Sequence, residues 1–466
     1  MILRHWFAKC WIVLIAILPA IPCGALAAED DPSAAAENHT YILAAGRRLP
    51  FLYAISLADA VDPVNNLTAN AIVSRSKVAL DRLDGRPLGD PANLVVSEDG
   101  GTVYVVNHHG SIDNAEFRQH GGRGQIAVLA VDAVLDPRNN NTHNALQRHL
   151  DSGGFGAIGV TLLPDMIVIA NAENNLTEDG GNRVTFVDRR TGSLRGTVEL
   201  ALGSPGSECN YPVPHVSPYG PPRKLAVLAP DPSWGCFPDP NGLALGVADN
   251  GNAYVFTANG GTDDVSVIDL ARALAGDPQA EIGRVPNQRA AWGMTVTPNK
   301  RHVIVASGGS QKDDWIGNTV SIISVDRAVA DADNAEVARI LVGADDPGEP
   351  SYPLIMSVTP DGRELIVPNL LANNVSVVNI ERALAGDPAA EVARIPLTRA
   401  DGRPARPKGS AVTPDGKFAL ISGGPRVEPL SQETGYIYII DLESRSVVGT
   451  VTGIGNDPYG VATVSR

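Results

Sequence analysis

Short apolar runs broken by turn residues recur from Tyr41 to the end of the chain. Three segments show the first member of the repeat: Trp292–Asn299 (WGMTVTPN), Ile355–Gly362 (IMSVTPDG) and Gly409–Gly416 (GSAVTPDG). Each reads as a short apolar strand closed by a tight turn. A second strand follows, as in His302–Ala306, Glu364–Val367 and Phe418–Ser422. After a polar loop comes an alternating strand ending in an acid or amide, as in Val265–Asp269 (VSVID), Val375–Asn379 (VSVVN) and Tyr436–Asp441 (YIYIID). A fourth strand such as Val447–Thr452 completes the unit.

Four-stranded units repeated along one chain predict an all-β propeller. Second strands at Tyr41–Ala45, Val103–Asn107, Met166–Ala170, Ala253–Ala258, His302–Ala306, Glu364–Val367 and Phe418–Ser422 give seven blades. The first lacks an inner strand, because residues 28–40 are polar, whereas Pro458–Val464 is an inner strand to spare. The two ends are therefore expected to pair and close the ring, hiding the sheet edges over residues 41–466. The units, with Tyr104-Val105-Val106-Asn107, Tyr254–Asn259 (YVFTAN), the TPDG turns and VSVID, resemble the YVTN β-propeller family. That resemblance implies the fold and little about activity, since lactonase-like, redox and binding proteins all share it. A near duplicate, Ala271–Pro286 (ARALAGDPQAEIGRVP) and Glu381–Pro396 (ERALAGDPAAEVARIP), reads as a helical turn, a GDP turn and a fourth strand.

The N-terminus has the form of an export signal: Arg4 and Lys9, the apolar run Trp11–Leu18, and Ala25-Leu26-Ala27 as a cleavage site, so residues 1–27 are expected to be removed. That run is too short to span a bilayer, and the location implied is periplasmic or secreted, with no stable membrane insertion. Cleavage leaves Cys209 and Cys236 as the remaining thiols, and in an oxidising compartment a disulfide between them is expected. A net charge of −15 excludes nucleic acid as a partner, because no Lys/Arg cluster is present to meet phosphates.

Strand alternation places the second-to-third loops and the fourth-to-first loops on one face, here called the top. Long irregular loops gather there, including the insertion 201–239, rich in proline and aromatic residues and expected to form an ordered cap. Aligning the residue before the inner-strand glycine gives a channel mouth of Ala92, Ile158, Asn241, Trp292, Leu354, Lys408 and Tyr459. One cation, two aromatics and an amide suit a small, partly apolar, anionic ligand; the same positions also suit plain packing residues.

Histidines supply the second candidate. His108, His109 and His120 share the top loop of blade 2 and His215 lies in the insertion, a set that could hold copper or zinc with Asp113, Glu116 or Glu173. The competing reading packs one of the adjacent pair His108 and His109 and leaves the other solvated. Acidic top-loop residues Glu173, Glu178, Asp179, Asp263, Asp264, Asp313 and Asp314 are either calcium ligands or solvated charges. No nucleophile elbow, HExxH or phosphate-cradling glycine motif is present. The expectation is an exported ligand-binding or scaffolding propeller with a small-molecule or protein ligand at its top face. The alternative is a copper- or zinc-dependent oxidoreductase or lactonase-like hydrolase acting at the same mouth.

Overall fold

The computed structural model describes residues 39–79, 90–108, 123–172, 182–203, 238–309, 316–425, 427 and 432–466. They form seven four-stranded antiparallel sheets, the blades of a propeller. From inner to outer strand, blade 2 is Pro91–Val96, Thr102–Asn107, Arg123–Ala130 and Leu146–Phe155. Blades 3, 4 and 5 repeat the order from inner strands Ala157–Leu162, Pro240–Val247 and Ala291–Val296. Blades 6 and 7 do so from Ser357–Val358 and Pro407–Val412.

Blade 1 closes the ring as the sequence predicts. Its inner strand is the C-terminal Val461–Ser465, paired with Thr40–Ala45 in the register Tyr41↔Val464 and Ala44↔Val461. The pairing runs to the chain end, where the His39 and Arg466 backbones exchange hydrogen bonds of 2.7 and 2.9 Å. Further around the seam, the buried Tyr53 hydroxyl donates to Glu433 Oε1 at 2.9 Å, and Leu67 N donates to Thr450 O of blade 7. Residues Leu67 and Thr68 thereby cover the outer edge of blade 7.

The hydrophobic core is divided in the same way. Seven large clusters of buried side chains are present, one between each pair of neighbouring blades. Second and third strands, covered on both faces, read as nearly continuous Val/Ile/Ala runs, whereas outer strands such as Leu194–Glu199 alternate with exposed residues. The repeat motifs are consumed by this scaffold. In TPDG, the Thr359 and Thr413 hydroxyls donate to Asp361 and Asp415, which in turn accept from Arg363 N and Lys417 N. The terminal Asn of YVxN is fully buried: Asn259 Nδ2 donates to Ser266 Oγ at 2.8 Å, and Asn369 Nδ2 to Ser376 Oγ at 2.7 Å. Both duplicated segments fold alike, with Arg272 on Asp277 and Arg382 on Asp387, each at 2.7 Å. A shared loop solution accounts for them.

One strand is shorter than its sequence suggests. Regular pairing in the blade 6 inner strand covers only Ser357–Val358, because Pro368 on the facing strand has no N–H to contribute. The Ile355 N–H turns sideways and donates to Lys408 O of blade 7 at 2.9 Å. Contacts between neighbouring inner strands are equally close elsewhere. A Cβ on Gly159, Gly242, Gly293 or Gly409 would lie 2.5, 2.6, 1.9 or 2.0 Å from the carbonyl oxygens of Asn241, Trp292, Leu354 and Tyr459. Gly293→Ala is therefore expected to lower stability by about 1–3 kcal/mol, the usual cost of forced overpacking. A control substitution at Gly348, where only the Asp346 side chain approaches, should be far milder in the same urea melts.

Candidate functional site

The mouth of the channel is built by a repeated backbone irregularity. In blade 3 the register passes from Ala157↔Asn171 to Gly159↔Ala170, leaving Ile158 as an extra residue. The same bulge leaves Ala92, Asn241 and Lys408 unpaired in blades 2, 4 and 7, and a wider one spans Trp292 in blade 5. A bulge re-aims its extra side chain without requiring a ladder partner for it. Two residues ahead of the mouth residue, the chain takes a left-handed turn at Asp239, Ala290, Tyr352, Arg406 and Asp457, with φ of 54, 53, 57, 48 and 69°. Non-glycine residues held there cost about 1–3 kcal/mol each and persist only where surrounding structure imposes them.

Six of the sequence-predicted mouth residues, Ala92, Ile158, Trp292, Leu354, Lys408 and Tyr459, are linked by contacts through the Trp292 and Tyr459 rings. Ala92, Ile158, Asn241, Leu354, Lys408 and Tyr459 are buried, and Trp292 is half-buried. Trp292 of blade 5 packs against Ala92 and Ile158 on one side, against Leu354 on another, and against the Tyr459 ring with centroids 6.1 Å apart. It therefore reaches blades 1, 2, 3 and 6 from its own. Asn241 has a local task, donating from Nδ2 to Asp239 O at 2.9 Å.

Around Tyr459 the site is cationic. The Arg47 guanidinium lies 4.1 Å from the ring centroid and the Lys408 ammonium 5.6 Å from it. Lys408 is buried, paired with Asp457 Oδ1 at 2.8 Å, and donates to Arg406 O and Gly424 O. Burial draws its pKa below the ordinary lysine value; Asp457 opposes that pull, and the positive charges of Arg47 and Arg406 reinforce it. Arg48 donates to both oxygens of the buried Asp90, at 3.0 Å from N and 2.6 Å from Nη1, and Arg47 Nε stands 3.6 Å from Asp90. The ring alignment finds Lys408 but misses Arg47, Arg48, Asp90 and Asp457. Asp90 and Asp457 do carry a sequence signal, an Asp-Pro pair repeated at Asp239-Pro240 just ahead of the mouth residue, whereas Arg47-Arg48 is marked only by its place after the blade 1 second strand.

The histidine set is represented by His108 alone, since His109, His120 and His215 lie outside the described residues, as do Asp113, Glu116 and Glu173. His108 is buried, with Nδ1 3.0 Å from Ala157 O and its backbone N donating to Asp90 O. Of the acidic candidates, Glu173, Glu178, Asp179, Asp313 and Asp314 are also outside. Asp263 accepts from Ala290 N, and Asp264 accepts from Asn259, Thr262 and Arg284. Among the described residues no cluster of three His, Cys, Asp or Glu could hold a metal ion, and no helix is long and apolar enough to cross a membrane. Cys209 and Cys236 lie outside the described residues, as does most of the insertion 201–239.

No protein-family model matches the chain, and no curated protein does. Solved structures do. A periplasmic gluconolactonase of Pseudomonas aeruginosa superposes with a TM-score of 0.54 at 16% identity, covering 91% of this chain and 99% of its own. A proposed 6-phosphogluconolactonase of Bacteroides fragilis gives 0.54 at 14% identity, covering 93% and 100%. A functionally unknown protein of Desulfotomaculum acetoxidans gives 0.54 at 15%, covering 91% and 98%. These likenesses establish the shared fold.

The Lys408 and Asp457 pair yields a direct test. Asp457→Asn keeps a side chain that tolerates the left-handed backbone yet strands a buried ammonium, and should cost about 3–5 kcal/mol. The double variant Lys408→Met/Asp457→Asn should recover much of that loss. Because the folded protein releases the lysine proton before the unfolded chain does, stability should rise as pH climbs through the folded pKa towards 10.5. Lys408→Met should abolish that rise in melts recorded across alkaline pH.

Proposed function

We propose that the chain is an exported propeller that binds a small anionic ligand with an apolar or ring-shaped body at the top-face mouth. The observation that carries this reading is the placing of Arg47 and Lys408 over the Tyr459 ring, which itself packs on Trp292, with Arg48 beside Arg47 on Asp90 and the Arg406 charge acting on Lys408, in a protein whose net charge is −15. A cationic group at the mouth of an otherwise acidic protein favours an anionic ligand there. Aromatic faces beside the cations give a flat or apolar ligand body a place to stack.

A second reading, lactone hydrolysis, is favoured by the fold shared with the Pseudomonas aeruginosa periplasmic gluconolactonase. The two readings overlap chemically. Hydrolysis of an aldonolactone passes through an oxyanion and ends in a carboxylate, and both states are stabilised by positioned cations. The periplasmic or secreted location rests on the export signal in the sequence. A metal-dependent reaction would draw on His108, His109, His120 and His215, and no described contact favours it over the mouth.

Calorimetric titration with D-gluconate and a pH-stat assay on D-glucono-1,5-lactone separate these readings. Binding of gluconate that weakens with salt, and at least about tenfold in Arg47→Ala, equivalent to 1.4 kcal/mol, supports the anion site. Proton release from the lactone above the uncatalysed rate, lost in the same variant, extends it to hydrolysis. Gluconate binding unchanged in Arg47→Ala would remove the mouth from consideration.

A further inference from the structure

A second polar site lies away from the channel axis, in the wedge between blades 6 and 7. The top loop joining those blades is a tight hairpin: Thr398 bridges Pro404, and Gly402 N donates to Arg399 O at 2.9 Å. This fold turns Arg399 inward, where its side chain is 7% exposed. Its guanidinium stacks 5.2 Å from the Tyr436 ring centroid, and Tyr436 stacks on Tyr438 at 5.8 Å and 16°. Tyr438 is 1% exposed and belongs to the apolar cluster between the two blades. Gly423 keeps room for it, since a Cβ there would lie 3.3 Å from the Tyr438 ring and 3.0 Å from Ala405 O.

Two donors in this wedge are buried without a hydrogen-bond partner among the described residues: Arg399 Nε and the Tyr438 hydroxyl. A buried donor that has given up its water for no partner is costly, so an acceptor held between them is the economical explanation. Charge points to its nature. Arg399 Nη2 holds Asp401 Oδ2 at 2.8 Å, but Arg403 Nε holds the same oxygen at 3.0 Å, so two guanidiniums share one carboxylate. Asp401 is itself exposed, and Arg399 is not.

We propose that the wedge between blades 6 and 7 binds a small oxyanion, a carboxylate or inorganic phosphate, between Arg399 Nε and the Tyr438 hydroxyl. The anion completes the charge balance of the Arg399, Arg403 and Asp401 group and satisfies both buried donors. Tyr436 forms one wall by its stacking on Arg399. The site is independent of the mouth, whose anion contacts run through Arg47 and Lys408.

Thermal melting of the full chain, titrated with acetate or phosphate at constant ionic strength in chloride, tests this. The wild type should show a saturable rise in Tm, as binding to the folded state alone requires. Tyr438→Phe, which deletes only the hydroxyl, should fold and melt at or above the wild-type temperature in chloride, and should lose the rise. Arg399→Gln should lose it as well, while Lys408→Met should keep it. No rise in the wild type, or an equal rise in Tyr438→Phe, would show that water fills the wedge and overturn the proposal. Loss of the rise in Lys408→Met would place the anion at the mouth and overturn it equally.

Discussion

At four of the inner-strand contacts, Gly159, Gly242, Gly293 and Gly409, a glycine backbone lies directly beneath a carbonyl of the next blade, and that approach sets the geometry of the ring there. At Gly293 and Gly409 the approach leaves no room for even a methyl group. Inner strands at that distance can follow one another only around a narrow channel, and each blade then presents its broad faces to two neighbours. That is why the core is divided into seven inter-blade clusters rather than one central mass. A single sheet of this kind could bury neither face alone; the stability of each blade belongs to its interfaces.

The same constraint leaves side chains at the mouth free to vary. Because Ala92, Ile158, Asn241 and Lys408 each sit in a bulge, their side chains are excused from strand pairing and their identity is left open. Alanine, isoleucine, asparagine and lysine occupy these four bulges. The backbone ahead of the mouth residues Trp292, Leu354 and Lys408 is held in a left-handed conformation at Ala290, Tyr352 and Arg406, residue types that gain nothing from it locally. Strain accepted repeatedly at one end of a channel, and at a ring of dissimilar side chains, marks the part of the scaffold on which the fold imposes position but not composition.

Architecture was legible in the sequence because propeller strands leave a strong signature: the strand period recurs along the chain, and turn chemistry and a terminal polar residue recur in several units. The surplus strand near Val464 and the missing one before Tyr41 announced the closure without coordinates. What the sequence hid were the interactions between distant positions. Asp457 lies 49 residues from Lys408, and Asp90 lies 42 from Arg48; each pair meets only because blades are neighbours in space. The left-handed turns were hidden for another reason. Asp239 and Asp457 suit such a turn, but Tyr352 and Arg406 do not, so no propensity could reveal them. Likewise Pro368 shortened the inner strand of blade 6 from across the sheet, an effect invisible in the Ile355–Gly362 segment itself.

Completion of the first blade by Val461–Ser465 gives the chain a clock. During synthesis the edge of Thr40–Ala45 has no partner until Val461–Ser465 exists, so six sheets can assemble while the first waits. At the usual pace of about 5–20 residues per second, that wait lasts tens of seconds. Throughout it the nascent molecule is an open arc rather than a ring. A polypeptide whose first blade waits for Val461–Ser465 cannot lock shut before that strand is made, and until then it can still be drawn through an opening narrower than the finished disc.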